Sequence, residues 1–210
     1  MHIPDGIIPL WQCVIYILIA LIVGFYALKW ARNNLDERNV PLIAILAAGI
    51  FIIQLFNFPI FAGSSGHVVG AVLVAILLGS PFAGFLILTV VLIVQAIALG
   101  DGGITALGAN ILNMAIISSF VGFYSYKCLR RFNELAAIFL AGWIAVVTTS
   151  IITAFELAIA GVFPLIPGIL LMGGLHAIIG IGEGLITMIA VVAIRSVRPD
   201  LSIEGAGTHE

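Results

Sequence analysis

The sequence predicts an all-α polytopic membrane protein: a bundle of seven transmembrane helices, N-terminus outside and C-terminus cytoplasmic. Three observations predict it. The 210 residues are 62% hydrophobic and 9% charged, with a mean hydropathy of +1.27, whereas soluble domains carry about 25% charged residues. Apolar runs near the ~20 residues that cross a bilayer recur along the whole chain. The eight basic residues, Lys29, Arg32, Arg38, Lys127, Arg130, Arg131, Arg195 and Arg198, follow only certain of those runs.

Taken in order, Met1 to Gly6 are polar or turn-forming. The first basic residue, Lys29, comes after the first apolar run, so the basic leader of a secretory signal is missing. That run, Ile7–Trp30, is expected to be a retained span. Val40–Phe61 is the second. Ser80-Pro81 divides the next apolar stretch into Val68–Gly79, short for a crossing, and Phe82–Leu99. Leu107–Tyr126, Leu135–Val162 and Ile169–Ile194 complete the set. If both halves of the divided stretch cross, all eight basic residues fall on one side, and excess Lys and Arg mark the cytoplasm. One integral domain is expected over 1–198, with a terminal segment 1–6, a bundle 7–194 and a short polar cytoplasmic tail 199–210. In this arrangement Met1–Gly6, Ala62–His67, Gly100–Thr105 and Phe163–Gly168 share the outer face, and His2 and His67 are free to meet.

Several function classes recede at once. No basic patch points to nucleic acid. Cys13 and Cys128 lack metal-binding spacing and read as buried free thiols. A histidine in second position, by contrast, is a chelator. The Met1 α-amine, the His2 backbone nitrogen and the His2 imidazole can bind one metal as fused rings. His67 is the obvious fourth nitrogen. Planar nitrogen coordination suits Ni(II) or Cu(II) better than Zn(II), which prefers a tetrahedron. An amide nitrogen binds only after losing its proton, so affinity should rise with pH. The plain alternative is a histidine on a frayed terminus.

The quoted residues also carry a resemblance. MHIPDG at the start, GSSGHVVGA at 63–71 and DGGITALGANILNMA at 101–115 resemble the substrate-binding (S) component of energy-coupling factor (ECF) nickel and cobalt transporters, the NikM/CbiM family. The resemblance implies seven spans and a terminus that dips into the bundle. It implies a transported Ni2+ or Co2+ held by Met1, His2 and His67. Its implied partners are a transmembrane coupling subunit of the NikQ/CbiQ type, cytoplasmic ATPases of the NikO/CbiO type and a small auxiliary membrane subunit, in a prokaryotic plasma membrane. The chain has no GxxxxGK[ST] loop, so it cannot hydrolyse ATP alone and is expected to be a transport subunit rather than an enzyme.

Other polar residues stand beside this set. Ser65, Asp101, Asn110 and Asn113 are candidates to support the metal ligands by hydrogen bonds; a turn role for Asp101 and interhelical bonding for the amides are the alternatives. Ser64, Gln54, Asn57 and Gln95 invite the same two readings. Glu156, His176 and Glu183 are ionisable groups inside apolar runs, and such groups are functional candidates by default. Ala137, Ala141, Ala145 and Gly142 form a small-residue stripe suited to close helix packing. A rival reading comes from another class: GSSG at 63–66 with His176 resembles rhomboid-type intramembrane serine proteases, with Ser65 as nucleophile and His176 as base. It leaves MHIPDG unexplained.

Overall fold

A computed structural model of the chain describes residues 1–59 and 65–201. Helices dominate it: α1 (Leu10–Asn34), α2 (Val40–Gln54), α3 (Ala71–Leu77), α4 (Pro81–Val94), α5 (Leu107–Asn110), α6 (Ser118–Leu129), α7 (Glu134–Ile159) and α8 (Leu165–Val197). Two π-helical segments, Gln95–Leu99 and Ile111–Ile117, extend α4 and join α5 to α6. Two strands, β1 (Phe58–Pro59) and β2 (Ser65–Gly66), pair antiparallel with Phe58 opposite Gly66. Among the described residues, six helical stretches are long and apolar enough to cross a bilayer: Leu10–Asn34, Glu37–Gln54, Pro81–Leu99, Leu107–Leu129, Glu134–Ile159 and Leu165–Val197. The protein is a polytopic, multi-pass helical membrane protein.

The outer surface explains the composition. Leu10, Leu21, Ile22 and Phe25 on α1, and Ile166, Leu170 and Ile178 on α8, are exposed. A face this apolar belongs against lipid tails rather than water. The centre is α3, whose seven residues are all buried.

That helix corrects one expectation. Val68–Gly79 is not a spanning helix of its own. Residues 67–70 have no regular structure before α3 begins at Ala71. Seven helical residues rise about 10 Å, against a hydrocarbon core of about 30 Å. The helix cannot start earlier because Gly70 is in the left-handed region, with φ +79°. It ends at Leu77, before Gly79 with φ +70°, and Ser80 then caps α4 by accepting from the Phe82 amide at 3.2 Å. Non-helical backbone at this depth is tolerated because protein, not lipid, surrounds it.

Two smaller expectations change as well. α8 begins at Leu165, so the expected 163–168 loop is mostly helix. Cys13 is buried, but Cys128 is exposed. The small-residue stripe serves internal packing: Ala137, Ala141 and Ala145 are buried, and a Cβ on Gly142 would lie 3.1 Å from the Gly184 Cα of α8. His209 and Ser64 lie outside the described residues.

Candidate metal centre

The terminal segment lies inside the protein. Met1, His2 and Ile3 are at most 3% exposed, and Met1 is part of the main apolar core. Hydrogen bonds at Ile3 and Asp5 explain why these three residues stay there. The Ile3 amide donates to Asn110 Oδ1 (2.8 Å), and the Ile3 carbonyl accepts from Asn110 Nδ2 (3.0 Å) and from the Gly103 amide (3.0 Å). Asn110 thus pairs with this peptide as a neighbouring strand would. Asp5 accepts from the amides of Ile104 (3.1 Å), Thr105 (2.7 Å) and Ala106 (3.3 Å) and from the Thr105 hydroxyl (2.5 Å). The Thr105 hydroxyl, aided by these amides, holds the Asp5 carboxyl below its usual range. The backbone must come close here. A Cβ on Gly102, whose φ is +81°, would sit 2.9 Å from Asn110 Nδ2, and only glycine takes that conformation freely.

This staple delivers nitrogens to one place. The Met1 amine donates to the Ser65 carbonyl and to Ser65 Oγ (3.3 Å). The His2 amide donates to the same hydroxyl at 3.3 Å. The β1–β2 pairing fixes Ser65 two residues before His67, and the His2 and His67 ring centroids are 4.7 Å apart. His67 Nδ1–H donates to the Val68 carbonyl at 2.8 Å. His2 Nδ1–H donates to Asp101 Oδ1 at 2.7 Å, and Asn57 Nδ2 donates to Asp101 Oδ2 at 2.8 Å. Both Nε2 atoms are buried without a hydrogen-bond partner among the described residues. A buried polar atom left unpaired is costly, unless a ligand completes it.

Burial sets the charge states. It lowers the Met1 amine from 8.0 to about 4, against the opposing pull of Asp101. It also holds His2 below, and His67 well below, the usual histidine value. Three nitrogens are therefore neutral at pH 7, with lone pairs available. Burial pushes Asp101 up, but the hydrogen bond from His2, the attraction of the His2 ring and terminal amine when protonated, and the hydrogen bond from Asn57 together leave the carboxyl below its usual value. The cluster carries a net negative charge. Among the described residues, no three His, Cys, Asp or Glu side chains converge to hold a metal ion. A metal bound here would need main-chain nitrogens to complete its shell.

The structure sorts the remaining candidates. Ser65, Asp101 and Asn110 touch the terminal segment. Asn113 does not: its amide donates to Glu156 Oε2 at 2.6 Å. One π-helical turn separates the two asparagines' partners. Glu156 also lies beside Gln12, whose Nε2 donates to the Glu156 carbonyl at 2.9 Å. His176 is fully buried, with Nδ1–H donating to the Met172 carbonyl at 2.8 Å and Nε2 unpartnered. The protease constellation is not assembled. Ser65 Oγ is engaged by Met1 and His2, and no hydrogen bond joins it to His176. The sequence pointed to no role for Asp5 beyond the turn, left Gln54 between ligand support and interhelical bonding, and marked Glu183 only as an ionisable candidate without a partner. Their partners are backbone groups distant in sequence, and only Asp5 in a Pro-Asp-Gly turn carried a local signal.

Comparisons with known proteins show the family and the fold. The family described as the cobalt uptake substrate-specific transmembrane region, CbiM, matches residues 2–201. A chain of Archaeoglobus fulgidus that carries the name of a fused nickel transport protein, NikMN, is 42% identical over 203 residues, covering 96% of this chain and 68% of that one. The cobalt transport protein CbiM of Thermosipho melanesiensis is 33% identical over 200 residues, 91% of this chain and 85% of its own. A crystal structure of a transition metal transporter superposes with a TM-score of 0.88 at 33% identity, covering 100% of this chain and 98% of that one. This chain belongs to the CbiM family and is a cobalt/nickel transport membrane component of the CbiM/NikMN type.

Proposed function

We propose that this chain is the metal-capture subunit of an ATP-driven ECF importer in a prokaryotic cell membrane. It takes Ni(II), or Co(II), from outside through the Met1 amine, the His2 amide nitrogen, the His2 imidazole and His67 Nε2. The observation that carries this reading is the fully buried Met1 amine beside the unpartnered His67 Nε2. A hydrophilic terminus has no structural reason to enter an apolar bundle unless something there uses it.

The chelate asks for one rearrangement. Only Nδ1 of His2 closes a ring with its own backbone nitrogen, and in this structure that atom faces Asp101. A half-turn about Cβ–Cγ exchanges Nδ1 with Cδ2 and brings Nε2–H round to the Asp101 side. Asp101 then orients the ligand ring, as outer carboxylates do for metal-bound histidines. The Met1 amine and His2 amide exchange Ser65 for the metal. Charge also balances. A divalent cation with one deprotonated amide and the Asp101 carboxylate is neutral overall, which suits a site walled off from water. Planar nitrogen ligation favours nickel over cobalt.

The orientation rests on the charge pattern. With the metal site outside, the eight basic residues face the cytoplasm, and residues 68–79, part extended and part helical, make the third of seven crossings. The cavity shared by Leu78 with Leu35 and Ile43, at the inner ends of α1 and α2, supports this path. Coupling and ATPase subunits supply the energy for release inward. Two measurements test the reading. Bound Ni(II) should be diamagnetic and planar, and His67→Ala should abolish that signature; an octahedral spectrum unaffected by His67→Ala contradicts the ligand set. An impermeant maleimide should reach Cys128 only in permeabilised cells; labelling of intact cells reverses the orientation.

A further inference from the structure

His67 belongs to a segment with no regular structure of its own. After β2, residues 67–70 have neither helix nor strand bonds before α3 starts. Side chains hold them instead. Gln54 Nε2, from α2, donates to the Val69 carbonyl at 2.7 Å. Glu183, fully buried on α8, accepts from the Val69 amide at Oε2 (2.6 Å) and from the Gly70 amide at Oε1 (2.9 Å). Both carboxylate oxygens are thereby used on the two peptides that follow His67.

A carboxylate at this depth is expensive to keep, because desolvating it costs several kcal/mol before any partner is counted. Packing alone does not call for one. α8 meets α7 here through glycines, with Gly184 against Gly142, and an aliphatic side chain would fill the space at lower cost. What the carboxylate does, and an aliphatic chain cannot, is fix two amides at once. An amide side chain would fix one and oppose the other with its NH2 group. Glu183 therefore determines how the chain leaves His67, and with it the direction from which the imidazole meets the terminal segment.

We infer that Glu183 is a positioning residue for metal capture: it clamps the Val69–Gly70 backbone so that His67 Nε2 faces Met1 and His2. This rests on the reading of His67 as a ligand. Glu183 does not touch the metal. Its effect runs through His67, and that dependence separates a positioning role from a general contribution to the bundle.

The test is a double-mutant cycle on purified full-length protein with an authentic N-terminus, titrated with Ni(II) alone at pH 8. Glu183→Gln should weaken nickel binding by about 10-fold or more and shift the ligand-field spectrum of the residual complex towards that of His67→Ala. Added to His67→Ala, it should change affinity by less than about 2-fold, because the residue it positions is gone. Equal weakening in both backgrounds means that Glu183 merely stabilises the bundle and overturns the inference. So does unchanged affinity in Glu183→Gln. If His67→Ala alone binds like the parent, the ligand assignment fails first and the positioning role fails with it. Should Glu183→Gln not fold, Glu183→Met replaces it in the same cycle; it removes both acceptors while keeping an apolar side chain of similar length.

Discussion

Two buried polar clusters sit within this bundle, and they differ in what they leave unfinished. Around the terminus, the unpartnered atoms are imidazole nitrogens, His2 Nε2 and His67 Nε2, next to a neutral amine. Around Glu156, they are oxygens: Glu156 Oε1, Asn113 Oδ1 and Gln12 Oε1. Nitrogen donors with a planar disposition suit nickel and copper, and oxygen donors suit hard cations or plain interhelical bonding. The first cluster is also stapled in place by Asn110, Asp5 and the Gly102–Gly103 turn, each contact spanning about a hundred residues of sequence. The second joins α1, the π segment and α7 through two side-chain hydrogen bonds. Burial alone does not separate the two clusters; the kind of atom left over does.

Changes to the two clusters should therefore separate cleanly. The largest effect is expected from His67→Ala, which removes a donor atom and should cost more than the ~100-fold that follows loss of an outer partner; isothermal titration with Ni(II) reads it. Acid should come next. The Met1 amine is 8.0 when free and about 4 when docked, so protons bind the undocked terminus preferentially. Docking is fully favoured above pH 8 and is lost progressively as pH falls towards 4. His2 and His67, also lowered by burial, act in the same direction. Hydrogen exchange of residues 2–5 in metal-free protein, corrected for the intrinsic rate, should show protection decline from pH 8 to pH 5. Protection that rises towards acid would break the account of the neutral amine. Asp101→Asn should weaken nickel binding by about 10-fold, because the imidazole keeps a hydrogen-bond partner but the site loses its negative charge. The smallest effect is expected from Glu156→Gln and Asn113→Leu, which should leave nickel affinity within about 2-fold. A loss as great as that of His67→Ala would show that the two clusters are one site.

How much of this was legible in the sequence varies with the range of the interaction. Apolar runs pointed to the six long apolar helices found among the described residues, and the expected span parity let His2 and His67 meet, as their rings do. Asp101 and Asn110 were legible as candidates because they lie in or beside the Gly-rich loop. Asn113 looked equivalent to Asn110, three residues away, until the π-helical turn sent it to Glu156. How much of 68–79 is helical was not legible, because hydropathy reads an extended buried segment and a buried helix alike; Gly70 at positive φ starts the helix at Ala71. Glu183 could not be placed at all, since its partners are backbone amides 113 and 114 residues distant in sequence, and backbone amides carry no sequence signal.

The central claim is that the α-amine of Met1 is a metal ligand. Nickel titration of the protein with an authentic N-terminus, beside a variant with one glycine added ahead of Met1, tests it with every side chain unchanged. Binding that collapses in the extended chain, together with loss of the planar Ni(II) spectrum, is the predicted result. Equal binding by both chains would contradict the terminal chelate.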